Sequence, residues 1–252
     1  MIDLLLIVCR GVVFVAALML WGGAVFRWRL MPQAPLAVEG WLIGVLIVGL
    51  VATLPVRVAQ MAGGWGDMVD GATVWLVLRV TGAGQAWIVQ VVALAGLMLA
   101  RRRDWRGIGA IAAGVVLAAQ ALTGHSAATP GWPGFARQAN DVVHMLAAGA
   151  WLGALPYVLR LLPQIHQDQV QHILIHYSRE GHVWVALVLL TGILSTLLTV
   201  RGLPVDWSHR YQMLLCLKAL VTAAMIGLAL RNRYGLVPRL RRDPGARDAM
   251  AR

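Results

Sequence analysis

The sequence predicts an all-α fold, a polytopic bundle of about seven transmembrane helices with one short interfacial helix. The first observation is composition: 59% of the 252 residues are hydrophobic and only 13% are charged, whereas a soluble domain carries about 25% charged residues. The second is a mean hydropathy of +0.70. The third is that the apolar residues cluster into runs of roughly 20 residues, the length that crosses the hydrocarbon core of a bilayer.

Seven apolar segments have the length of a membrane span. They are Asp3–Phe26, Glu39–Ala62, Gly82–Ala100, Gly107–Thr123, Gln138–Leu162, Gly181–Val200 and Tyr211–Leu230. A further apolar segment, Met68–Thr81, is short and contains Asp70 and Arg79, so we predict a helix lying at the membrane surface. The first segment has Arg10 in its middle and no basic region before it, which predicts a permanent helix and not a cleaved signal peptide.

The basic residues predict the orientation. Fifteen arginines fall in the tail and in alternate connections, four fall in the opposite connections, and three basic residues lie within spans. Positively charged connections face the cytoplasm, so the C-terminus is predicted to be cytoplasmic and the N-terminus periplasmic in a bacterial inner membrane. We expect a transmembrane domain over residues 1–231 and a basic tail over 232–252 that contacts membrane lipid.

Several function classes do not fit this sequence. The net charge is +11, but the arginines lie between apolar runs and not on one amphipathic face, so nucleic-acid binding is not expected. The sequence has no phosphate-binding loop, nucleophile elbow or zinc-protease motif. Cys9 and Cys216 fall inside apolar runs and are interpreted as membrane-core residues. The chain is therefore not predicted to be an enzyme.

Histidines and methionines at the predicted outer ends of the helices are the candidate metal ligands. His125 follows the fourth span, and His144 with Met145 lies near the start of the fifth, about 9 Å deep if that helix begins at Gln138. Imidazole is a common ligand for copper and zinc, and thioether sulfur favours Cu(I). The alternative is a pair of histidines that only form hydrogen bonds in the loops.

The seventh span adds a second pair of candidates, His209 and Met213, which share one helix face at a spacing of four residues. Asp141 precedes His144 by three residues and is a candidate ligand or orienting group. Lys218 and Arg10 lie within spans, where a charged group needs a partner or a water-filled cavity. For both we expect a gating or structural role and no metal ligation.

A third group of histidines lies on the cytoplasmic side, in and after the polar linker Pro163–Ser178. His172 and His176 are four residues apart, with His166 nearby, so they could form a metal exit site. The alternative, which we favour, is the exposed face of an amphipathic helix. His182 is too close to the cytoplasmic end of its span to join the outer histidines.

Sequence motifs in the second half of the chain resemble the copper resistance inner-membrane proteins of the CopD (also PcoD) family. The segment Gly124–Ala127 is similar to that family's Gly-His-Ala motif, and Val143–Gly153 is similar to its Val-His-Leu-Leu-Ala-Ala-Gly-Ala-Trp-Leu-Gly-Gly motif. Leu217–Ala219 and Asn232–Pro238 also look like the family. The resemblance is strongest over about residues 105–240. Over the first half only the helix pattern and Arg10 agree.

This resemblance implies a bacterial inner-membrane protein that takes copper from the periplasm and passes it inward. It also implies copper ion as the bound metal and a periplasmic CopC-type copper-binding protein as a partner. His144 and His125 are then the leading ligands, helped by Met145, His209 or Met213. The alternative function is a b-type haem cytochrome with two histidine ligands, which an absorption spectrum would distinguish.

Overall fold

The computed structural model describes residues 1–31, 37–123, 131–161, 167–200 and 210–236. These residues form helices and turns with no strand. The α-helices are α1 Ile2–Arg29, α2 Ala37–Ala62, α3 Gly71–Val80, α4 Gly82–Arg102, α5 Arg106–Ala118, α6 Gly131–Leu152, α7 Leu155–Leu161, α8 Gln167–Val200 and α9 Arg210–Arg231. Short 3-10 helices cover Trp65–Val69 and Ala119–Thr123, and a π-helical turn covers Asn232–Leu236.

Seven helical segments in the described part of the chain are long and apolar enough to cross a membrane. They correspond to α1, α2, α4, α5 with its 3-10 extension, α6 with α7, α8, and α9 with its π-helical turn. This confirms the predicted number of spans. The apolar segment around Trp75 forms the short helix α3, as the sequence predicts.

Side-chain caps explain where the shorter elements begin. Asp70 precedes α3, and its carboxylate accepts a hydrogen bond from the backbone N–H of Thr73 at 2.8 Å. Thr81 separates α3 from α4, and its hydroxyl oxygen accepts from the N–H of Gly84 at 3.0 Å. Asp and Thr are favoured N-cap residues because they satisfy N–H groups that the helix leaves free. The two helices can therefore meet at one residue.

The chain divides into two units, Met1–Leu155 and Pro156–Arg252, and each is described by itself. In the first unit α1 packs against α2, α5 and α6, while α4 packs against α5. The fourth and fifth spans are neighbours, because α5 and α6 are in contact. In the second unit Arg233 donates to the carbonyl of Ile175 at 3.3 Å, which joins the end of α9 to α8.

Glycines allow α1 and α6 to approach backbone to backbone. A Cβ atom on Gly22 would lie 2.4 Å from the carbonyl oxygen of Gly149, and one on Gly153 would meet the carbonyl oxygen of Leu18. Small residues four positions apart are the usual means of close helix packing in membranes. The indole N–H of Trp21 donates to the carbonyl of Leu146 at 2.8 Å beside this contact. The glycines of the Val143–Gly153 motif therefore have a packing role.

Two predicted boundaries are wrong. The fifth span begins at Gly131, not Gln138, because Pro133 lies in the first turn, where its missing N–H costs nothing. The sixth span begins far before Gly181, since α8 is continuous from Gln167. The described part of the Pro163–Ser178 linker is thus helical.

Candidate functional site

The helix α6 carries three of the predicted site residues, Asp141, His144 and Met145, all half-buried. His144 follows Gly131 by 13 residues, which is about 20 Å along the helix axis. The predicted depth of about 9 Å is therefore corrected, because it rested on a helix beginning at Gln138. His144 lies in the interior of its helix and not close to its end.

The surroundings of His144 are set by the packing of α1 and α5 on α6. The carbonyl of Leu146 accepts from Trp21 at 2.8 Å, two residues past His144. The Trp21 ring also packs against the Cα positions of Gly114 and Gly149. Trp21 is held both by its N–H and by the packing of its ring, and it therefore fixes the position of the α6 turn around Leu146. The segment bearing His144 is thus well positioned relative to α1.

Apart from Met145 beside His144, the remaining predicted ligands lie outside the described residues or in the second unit. His125 and His209 lie outside the described residues. Met213 and Lys218 are exposed on α9, in the second unit. Within the described ranges, no three His, Cys, Asp or Glu side chains form a group that could hold a metal ion. The predicted histidine and methionine site stays a prediction.

Arg10 has a defined partner in Thr123, which precedes the predicted ligand His125 by two residues in the sequence. Its Nη2 atom donates to the Thr123 hydroxyl oxygen at 2.9 Å and to the Thr123 carbonyl at 3.5 Å. Thr123 is the last described residue before the Gly124–His125 segment. The hydrogen bonds therefore tie α1 to the point where the chain leaves the end of α5.

Arg10 also lines a small cavity of about 20 Å³, with both apolar and polar walls, between α1, α2, α4 and the end of α5. The polar side chains around it are those of Arg10, Thr53, Arg57, Trp87, Gln90, Gln120 and Thr123. Arg57 is one of the three basic residues within predicted spans, and neither it nor the two glutamines was predicted to have a role. The signal that could have found the cavity is the presence of two arginines in neighbouring predicted spans.

A network of charged residues lies at the other end of α1. Arg27 Nη1 is 2.6 Å from Glu39 Oε2, and Arg27 Nη2 is 3.5 Å from Asp104 Oδ1. Arg106 in turn contacts Asp104 at 2.8 Å. This network joins α1, α2 and the turn between α4 and α5, and the sequence reading did not identify it. The hydrogen bond from Arg106 lowers the pKa of Asp104. Desolvation acts in the opposite direction, and the charges of Arg106 and Arg27 lower the pKa further.

The linker histidines lie on α8, in the second unit. His172 and His176 are exposed, with ring centroids 4.1 Å apart, and His176 Nδ1 is 3.0 Å from the carbonyl of His172. His182 Nδ1 is 2.6 Å from the Ser178 carbonyl. His166 lies outside the described residues. His172 and His176 thus lie on an exposed side of α8, and both the metal exit site and the plain amphipathic face stay predictions.

An all-helical chain with seven segments able to cross a membrane, and with histidine and arginine inside them, is a multi-pass membrane protein. Residues 1–135 match the family model described as Copper resistance protein D-like, N-terminal domain, and residues 171–252 match Copper resistance protein D. The chain belongs to the copper resistance protein D family. The resemblance of the second half of the chain to this family is confirmed. It extends to the first half, where sequence motifs alone had shown little similarity.

Two relatives illustrate the family. The inner membrane protein YebZ of Escherichia coli K12 is 32% identical over 203 residues, which cover 78% of this chain and 69% of that protein. Copper resistance protein D of Pseudomonas syringae pv. tomato is 29% identical over 265 aligned residues, covering 95% of this chain and 84% of that protein. No solved structure matches the chain. The family is one of copper resistance membrane proteins, so a general role in copper handling follows.

Proposed function

We propose that the chain transports copper across the bacterial inner membrane, capturing the ion on the periplasmic side and passing it inward. The observation that carries this proposal is the position of His144 inside the α6 span, with a methionine next to it. A titratable side chain inside a membrane is costly and is kept there for function. Imidazole and thioether groups are the ligands that copper prefers.

The ligand set proposed is that of the sequence analysis, with His144 and His125 first and with Met145, His209 or Met213 completing the coordination. Arg10 supports His125 indirectly, because it holds Thr123 two residues before it. Asp141 lies one turn before His144 and would fix the orientation of its imidazole. Lys218 has no lone pair to offer when protonated, so we assign it a gating role on α9.

The proposed orientation places the N-terminus in the periplasm and the arginine-rich tail in the cytoplasm, following the distribution of basic residues. A periplasmic CopC-type protein would then deliver copper to the end of the bundle at which α1 begins. The inner-membrane location is supported by the name of the Escherichia coli relative.

Copper binding and cellular copper content test this proposal together. Cells producing the His144→Ala or His125→Ala protein are expected to accumulate less copper than cells producing the unchanged protein, as measured by mass spectrometry. The purified variants should also retain less copper after dialysis. His182→Ala is the matched control, because this exposed histidine contacts its own helix and lies outside the proposed site.

Three results would contradict the proposal. Equal copper content in the His125→Ala/His144→Ala double variant would show that the site is wrong. Higher copper content in cells producing the variants would indicate that the protein exports copper instead of importing it. A Soret band with a sharp α-band in the reduced protein would indicate a haem cytochrome instead.

A further inference from the structure

The cavity beside Arg10 belongs to the Met1–Leu155 unit, and none of the proposed copper ligands that the structure describes lines it. Arg10 on α1 and Arg57 on α2 both line it, and Gln90 on α4 and Gln120 after α5 complete its polar wall. Its volume of about 20 Å³ exceeds the space that a single water molecule requires. The cavity can therefore hold one small occupant.

The two arginines in this cavity are not neutralised by carboxylates. Arg10 donates to Thr123, while Arg57 makes no hydrogen bond or ion pair within the described part of the chain. No acidic residue lines the cavity, and the nearby Asp3 accepts from Gln60 at 2.7 Å. Arginine keeps its charge in proteins. Two adjacent cations inside a membrane bundle thus require a compensating negative charge.

The wall of the cavity offers hydrogen-bond donors in addition to charge. A guanidinium carries several N–H donors and no acceptor, and those of Arg57 have no partner among the described residues. The side-chain amide of Gln120 likewise makes no hydrogen bond within these residues. The Gln90 amide makes only a long contact of 3.4 Å to the Val116 carbonyl. This set of donors suits an anion and not a metal cation.

We propose that this cavity binds a small monovalent inorganic anion of the size of chloride. The volume suits a single-atom anion better than phosphate or sulfate, whose four oxygen atoms need more room. A bound anion would accept hydrogen bonds from Arg10 and Arg57 and would relieve the repulsion between them. The same charges repel copper cations, so a metal ion is not expected in this cavity. This site is a further binding function and does not depend on the proposed transport.

Radioactive chloride binding to the purified full-length protein tests the site. The protein in a neutral detergent is titrated with ³⁶Cl⁻ in sodium gluconate, which keeps the ionic strength constant. We expect saturable binding to the unchanged protein. In Arg57→Gln and in Arg10→Gln the affinity should fall about tenfold or more, since each removes a charged hydrogen-bond donor.

Arg79→Gln is the control, because Arg79 is an exposed arginine on α3 that stacks on Trp75 away from the cavity. Its chloride affinity should equal that of the unchanged protein. Gln120→Leu keeps both arginines and should weaken binding less than Arg57→Gln, which separates loss of the site from misfolding. Absence of saturable binding, or equal binding in Arg57→Gln, would overturn the proposal. Displacement of chloride by phosphatidylglycerol but not phosphatidylcholine would assign the cavity to a lipid headgroup and would also overturn it.

Discussion

The two ends of α1 hold arginines in opposite situations. Arg10 shares a cavity with Arg57 and no carboxylate, whereas Arg27, 17 residues further along the same helix, pairs with the buried Glu39 at 2.6 Å and contacts Asp104. We call these the unpaired end and the paired end. Buried charges need partners, and at the paired end the protein itself supplies the carboxylates of Glu39 and Asp104. The unpaired end requires a ligand, and this difference distinguishes a structural cluster from a binding site.

The largest effect is expected when the paired end is broken. Glu39→Leu leaves Arg27 with only its 3.5 Å contact to the exposed Asp104, so we expect a loss of about 3–5 kcal/mol in the free energy of unfolding. Unfolding of the purified protein in detergent, followed by tryptophan fluorescence, measures it. Unchanged stability would show that Glu39 is not needed to compensate Arg27.

The double variant Arg27→Leu/Glu39→Leu is the control for this experiment. Replacing a buried ion pair by apolar residues is often neutral or stabilising, and Arg27 Nε and Glu39 Oε1 already lack hydrogen-bond partners within the described chain. We therefore expect most of the lost stability to return. A double variant as unstable as Glu39→Leu alone would point to a packing defect.

A smaller effect of opposite sign is expected at the unpaired end. In chloride-free buffer Arg57→Leu should be within about 1 kcal/mol of the unchanged protein or more stable, because it removes a half-buried cation that has no partner in the described chain and faces Arg10. The same unfolding assay measures it. A loss as large as that of Glu39→Leu would remove the distinction between the two ends.

The spans were predictable because hydrophobic length is a local property of the sequence. The number of spans and the short helix around Trp75 both followed from it. The start of α6 was not predictable from composition, since Gly131 and Pro133 are also typical of loops. The depth of His144 depended on that boundary and was therefore misplaced.

The candidate site was only partly predictable. Arg10 drew attention as a charge within a span, but its partner Thr123 is 113 residues away in sequence, and no local pattern indicates such a pair. Glu39 was assigned to the start of a span, and its contact with Arg27 depends on the crossing of α1 and α2. The histidine and methionine cluster rested on topology alone, and two of its members lie outside the described residues.

The smallest expected effect compares two aspartates outside the spans. Hydrogen bonds from the Thr73 side chain and then its backbone lower the pKa of Asp70, whereas the charged Arg106 lowers the pKa of Asp104. A carboxyl with a lowered folded-state pKa stabilises the protein above its unfolded-state value, near 3.8 for these residues. That stabilisation is lost as the pH falls through the folded-state pKa. Asp70→Asn and Asp104→Asn should each weaken the dependence of the melting temperature on acid pH.

Salt separates the two aspartates. Exposed ion pairs are screened by salt, so the difference between the unchanged protein and Asp104→Asn should shrink when sodium gluconate is raised at pH 5. The difference for Asp70→Asn should persist, because its hydrogen-bond donors are uncharged. Melting temperatures at low and high salt measure both. An equal response to salt would mean that the Arg106–Asp104 contact adds no charge-based stability, leaving the Arg27–Glu39 pair to account for the paired end.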